Sequence, residues 1–100
     1  MTGIPLCDRT VTLYRSDGTR QVVENCCYRY RDVQGADNFF REFLLIAPVE
    51  LRPGDRIFDG IGPEQVDWET FLPVSVPGLS QAEYARYWDF PGLSHWEAGR

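Results

Sequence analysis

The 100-residue sequence contains no lysine, so each of its ten basic side chains is an arginine. A Walker-type phosphate loop, which ends in Gly-Lys-Ser or Gly-Lys-Thr, is thereby excluded. The net charge of −5 argues against a surface that grips nucleic-acid phosphates, because that affinity comes from basic clusters that release counterions. No run of eighteen or more apolar residues occurs, and the start MTGIPLCDR has neither a basic nor an apolar leader segment. The chain therefore reads as soluble and not exported, with no membrane partner, and Cys7 reads as unacylated. Metal-binding residue types are scarce: three cysteines (Cys7, Cys26, Cys27) and one histidine, His95. None stands in a CxxC or HxxxH spacing, so no metal is expected. An odd cysteine count and the opposite facing of neighbours on a strand make a disulfide framework improbable, and reduced thiols filling a core are expected instead.

Charge is unevenly spread. Residues 1–56 hold eight arginines against eight acids, while residues 57–100 hold two against seven. Arginine is the planar, bidentate kind of cation, suited to carboxylate pairing and aromatic stacking.

At this length one domain, residues 1–100, is expected. Thr10 to Arg15 (TVTLYR) sets Val11 and Leu13 against Thr10, Thr12 and Tyr14, the period-two mark of a half-buried strand. SDG at 16–18 is hairpin-turn chemistry, and Arg20 to Arg31 reads as a long second strand with Tyr28 and Tyr30 on one face and Arg29 and Arg31 on the other. Asp32 to Asn38 reads as a polar connection. Phe39 to Ile46 reads as a third strand in preference to a helix, and Arg56 to Asp59 as a short fourth. Val74 to Val76, between Pro73 and Pro77, is expected to be an edge strand or an extended arm within a 62–80 loop region. A short helix is expected at about 81–88, because Ser80 is a good N-cap, Glu83 completes a capping box, and Leu79 with Tyr84 can form a staple. A second helical turn is expected at 63–70, and Ser94 to Arg100 as a last strand or tail. The fold class is mainly β: a small single-domain β-barrel or sandwich with long loops or an arm and one short helix.

The segment LRPGDRIFDGIGP (51–63) looks like a corner, a short strand and a second corner. Its Ile57, Phe58 and Ile61 are expected to pack inward and Asp55 and Asp59 to be turn and rim residues. Four positions apart on an extended segment, those carboxylates stand roughly 13 Å apart, too far for the usual acid/base pair. His95 has no recognisable nucleophile to serve, so no enzyme and no cofactor are expected. Fourteen aromatics leave two uses: a β-core plus a protein interface, or base stacking on Tyr28 and Tyr30 as in an OB-like or SH3-like module. The acidic balance favours the first. Interface candidates are Tyr28, Arg29, Tyr30, Arg31, Val74, Val76, Arg86, Trp88, Phe90 and Trp96, aromatic and arginine residues being enriched at interface centres.

The combination CDRTVTLYR, VVENCCYRYRDVQ, FLLIAP, LRPGDRIFDGIGP, FLPVSVPGLSQAEY and HWEAGR resembles a family of small minor structural proteins of prophages and tailed phages of Gram-positive hosts. The resemblance spans almost the whole chain and implies a head-completion role: a head-closure (stopper) or head-tail joining protein. It implies a β-barrel subunit of a homo-oligomeric connector ring in the virion, assembled in the host cytoplasm. Its partners would be the adaptor and the tail terminator or tail, with DNA passing nearby without sequence-specific binding. A tail terminator or other minor capsid or tail protein is the alternative within the same class. Such a ring needs two different patches per subunit, for which the aromatic C-terminal third and the arginine-bearing β-face are candidates, and an acidic surface on its channel would let DNA slide.

Overall fold

The computed structural model describes residues 7–34, 39–89, 91 and 94–100, and of residues 39 and 40 only the backbone. Its strands are β1 (Arg9–Tyr14), β2 (Arg20–Gln34), β3 (Phe39–Ala47), β4 (Arg56–Asp59), β5 (Leu79–Gln81), β6 (Tyr84–Trp88) and β7 (His95–Gly99). They form one antiparallel sheet in the order β5-β4-β1-β2-β3-β7-β6. The protein is a mainly β, single-layer sheet curled into a half-barrel. Of the expected polar connection 32–38, Asp32 to Gln34 belong to β2, and the remainder lies outside the described residues.

Two bends produce the curl. β2 pairs with β1 as far as Cys26 and with β3 from Cys27 onward. At the change of partner, Arg9 faces Cys26 but Val11 faces Val23, so β2 carries one extra residue there. Asn25, at φ 61°, occupies that bulge; asparagine is among the few side chains that tolerate left-handed backbone. The second bend is the stretch from β5 to β6, in which Ala82 and Glu83 separate a strand bonded to β4 from one bonded to β7. The two ends of the sheet are thus consecutive in the chain.

That second bend replaces the helix expected at 81–88. The capping signals are local, and the sheet outcompetes them. The Ser80 hydroxyl, instead of capping a helix, shares a 2.6 Å hydrogen bond with Tyr28 Oη across the core. The amides of Ala82 and Glu83 donate to Asp55 O and Gly99 O. Tyr84, Arg86 and Trp88 then lie on the outer side and Ala85 on the inner, a period of two that suits aromatic residues in a pleated strand. The turn expected at 63–70 is no helix either, holding bends and one hydrogen-bonded turn in which Thr70 and Phe71 donate to Asp67 O.

The main core lies inside the curl, where Val11, Leu13, Val23, Cys26, Leu45 and Ile57 are buried. A second cluster lies on the outer face of β1, β4 and β5, where Tyr14, Phe58 and Leu79 are covered by Val66, Trp68, Phe71 and Val76 from the 60–78 segment. β1 is therefore buried on both faces and not half-buried. Segment 60–78 is fastened by polar contacts: Thr12 Oγ1 donates to Gly60 O and accepts from Gly62 N. Tyr14 Oη donates to Pro63 O, while Arg20 donates to Pro63 O and Gly62 O. Gly62 is needed for this closeness, since a Cβ there would stand 3.1 Å from the Phe58 ring and would collide with Tyr14 Oη.

Within 51–63, the corner glycines Gly54 and Gly60 adopt positive φ (89° and 94°), and Ile57 packs inward. Two expectations fail there. Ile61 is 71% exposed, because both its neighbours are held against Thr12. Asp55 is 3% exposed and is a structural anchor, accepting from Arg52 N and from Arg15 Nε. Residues 72–78 form consecutive turns, with Ser75 N and Val76 N donating to Leu72 O, and no edge strand or extended arm.

The cysteines also depart from expectation. The bulge shifts the alternation of β2 by one residue, so Cys26 points into the core with Tyr28 while Cys27 points out. Cys27 is joined to Cys7 as a disulfide.

Candidate functional site

β7 flanks β3 only from Leu44, and β1 flanks β2 only as far as Cys26. Residues 29–34 of β2 pair only with 39–44 of β3, and of these 39–42 have no second neighbour among the described strands. They form a hairpin that continues past the curled sheet. Such edges carry unpaired N–H and C=O groups.

The hairpin has two unlike sides. On its inner side Tyr30 lies 5.6 Å from the Tyr28 ring, and Arg41 lies over Tyr30 at 4.1 Å while forming a two-point contact with Asp32 (2.7 and 3.3 Å). The carboxylate raises the Arg41 pKa, and the hydrogen bond from Arg41 lowers that of Asp32. On its outer side stand Arg29, Arg31, Glu42 and the half-exposed Leu44, with Arg31 bonded to Glu42 at 2.6 Å. The period-two separation of Tyr28 and Tyr30 from Arg29 and Arg31 is present as the sequence implies.

The same outer face continues across β7 and β6. Arg29 faces Leu44, Leu44 faces Gly99, and Gly99 faces Tyr84; alongside run Cys27, Ile46, Glu97 and Arg86. Gly99 leaves room for the Tyr84 ring, since a Cβ there would lie 2.8 Å from Tyr84 Oη. Tyr84 Oη donates to Glu97 (3.1 Å), and Arg86 approaches the same carboxylate at 3.6 Å. Burial first, and then the contact with Glu97, raises the Tyr84 pKa. The Arg86 guanidinium sits 5.0 Å from the Tyr84 ring and 5.6 Å from that of Trp88.

Of the interface candidates, Arg29, Arg31, Arg86 and Trp88 therefore share one face, which crosses both of the regions expected to supply separate patches. Tyr28 is 3% exposed and hydrogen-bonded inside the core, which removes it from any exposed stacking platform, while Tyr30 is 46% exposed. Trp96 packs on the core beside Tyr87 (5.2 Å). Val76, part of the 60–78 segment, is partly buried against the second cluster, and Val74 is exposed. Phe90 lies outside the described residues. The sequence reading missed Glu42, Leu44 and Arg100, which surround Arg29 and Arg31 in a shallow depression of about 360 Å³; the alternation of β3 carried that signal for the first two.

Chemistry-bearing groups elsewhere do not gather. Cys7 and His95 line one small depression, but Cys7 is in the disulfide and no cluster of three or more metal-capable side chains occurs among the described residues. No helix among them is long and apolar enough to cross a membrane. Burial pushes the Cys26 thiol up from 9.0 to about 11, so the folded state holds its proton more tightly than the unfolded state. That contribution to stability is complete below pH 9.0 and declines as pH rises toward about 11. At pH 8 an aromatic disulfide reagent should find no reactive thiol in the native protein and one after unfolding without reductant. Rapid native labelling of Cys26 would refute its enclosure.

Comparison with protein-family models, with curated proteins and with solved structures gives no match.

Proposed function

We propose that this chain is a structural virion protein of a tailed phage, a head-closure (stopper) ring subunit that works by protein–protein assembly around the DNA channel. The observation that carries the reading is the β2–β3 hairpin, with unpaired outer edges among the described strands and exposed Arg29, Arg31 and Leu44. A segment that continues past its own sheet offers its edges and side chains to another chain. The sequence resemblance supplies the phage class, and a small β subunit with a protruding arm is what such a ring requires. Neighbouring connector proteins, the adaptor on one side and the tail terminator or tail on the other, are the proposed partners.

Native mass spectrometry of the full chain, alone and mixed with portal and adaptor proteins, tests this. A discrete ring-sized assembly with them is the expected result. A chain that stays monomeric in the presence of both would overturn the reading.

A further inference from the structure

Six of the seven acidic residues of positions 57–100 fall into two groups in the folded protein, and the seventh, Asp89, accepts from the Ser94 hydroxyl at 2.9 Å. Asp59, Glu83 and Glu97 are engaged by Arg9, Arg100 and Arg86. Glu64, Asp67 and Glu69, all exposed on the 60–78 segment, have no ion-pair partner among the described residues. The two arginines beneath that segment direct their donors to its carbonyls: Arg20 to Gly62 and Pro63, Arg56 to Trp68 and Phe71. The segment thus presents three carboxylates flanked by the exposed apolar side chains of Ile61 and Val74.

The hairpin presents the opposite character. Arg29 is exposed and has no ion-pair partner among the described residues, and Arg31 shares Glu42 across the strand pair. On the same side as these arginines Leu44 is the exposed apolar side chain, while Tyr30 faces the other way, toward Arg41. These two regions stand at the two ends of one strand. Arg20, the first residue of β2, holds Gly62 and Pro63, whereas the hairpin occupies the last residues of the same strand. At roughly 3.3 Å per residue the strand's contour is about 50 Å, comparable with the 42 Å longest extent of the molecule. An acidic, partly apolar patch and a basic, partly apolar patch at opposite ends of a subunit cannot meet within one chain.

We infer that they meet between chains: the Arg29–Arg31 side of one copy's hairpin docks on the Glu64–Glu69 loop of the next, a head-to-tail contact. Two different surfaces meeting in this way form a heterologous interface, which closes into a ring when the rotation per subunit permits. This rests on the ring reading above and specifies its subunit contact. It assigns the loop carboxylates to a neighbour, not to the channel wall. Opposed charge sets the register and the approach, and the apolar residues on each side supply the contact that water leaves.

The absence of lysine makes a direct test possible. Arg31→Lys introduces the one lysine ε-amine of the chain, which a carbodiimide couples to a carboxylate within reach. In mixed isotope-labelled copies of the full-length protein, concentrated at low salt, the expected cross-link joins position 31 of one copy to Glu64, Asp67 or Glu69 of another. Sedimentation of the otherwise native chain should show self-association weakened at least tenfold by Arg29→Glu with Arg31→Glu and recovered when Glu64→Arg and Glu69→Arg are added. If copies associate but the cross-links fall only on other carboxylates, this contact is overturned and the ring reading stands. If they do not associate at any concentration, this contact is overturned as well, while co-assembly with portal and adaptor still decides the ring reading separately.

Discussion

Arg56→Ala is expected to destabilise the protein by about 3–5 kcal/mol and to release the 60–78 segment from the sheet. The Arg56 side chain lies on the outer face of β4, and the residue is 6% exposed. Its Nη1 donates to Trp68 O and to Phe71 O (2.8 Å), and its guanidinium lies 3.6 Å from the centre of the Trp68 ring. Burial lowers its pKa, yet it remains a cation, and carbonyls and an aromatic face are what hold it. Hydrogen bonds to a charged group contribute about 1.5–3 kcal/mol each, and a desolvated cation–π contact about 2. Truncation leaves two acceptors without their donor and unpins Trp68 and Phe71 from Tyr14. Residues 57–85 contain no basic residue, so trypsin is blind to the released segment while chymotrypsin can cut at Trp68 and Phe71. Denaturant unfolding and chymotrypsin digestion read the two effects. A loss below about 1 kcal/mol with an unchanged digestion pattern would contradict the pinning role. Arg56→Lys should fall between, since an ammonium keeps the charge but loses the planar stack.

Leu45→Ala is expected to cost about 3 kcal/mol, within the 2–5 found for such truncations, but to fail differently. Leu45 is fully buried on β3 between Tyr28 of β2 and Ala98 of β7. The cavity would open at the centre of the curl, where neighbouring backbone is locked in ladders and cannot collapse to fill it. Each kcal/mol corresponds to about 4–8 °C in Tm at this chain length, so a fall of more than ten degrees follows. Susceptibility to chymotrypsin should rise along the whole chain and not only near Trp68. Unfolding in two separate steps would show that the two clusters are independent and would defeat this expectation.

What the sequence made readable was whatever depends on near neighbours. Val11 against Thr12, Arg29 against Tyr30, and the SDG corner announce strands and a turn, and the first four strands lie within a few residues of where they read. What failed depends on distant partners. Ser80 and Glu83 carry the signals of a helix start, and nothing local reveals that Ser80 will meet Tyr28, 52 residues earlier. Likewise, Cys26 and Cys27 are equivalent on paper until a bulge at Asn25 decides which one enters the core. The candidate interface was half legible: alternation placed the arginines of β2 on one side, and the charge count located the acids in the second half. That these lie at opposite ends of a single strand required the contacts of Arg20 with Gly62 and Pro63.

The length of β2 bears on how the molecule responds to force. The acidic loop is tied near its start and the hairpin lies at its finish, so tension between two neighbours would run along one backbone. Its ladders to β1 and β3 stand across that direction, and antiparallel hydrogen bonds lie perpendicular to their strands. A pull along β2 therefore loads many of them at once, in shear, instead of opening them one by one from an end.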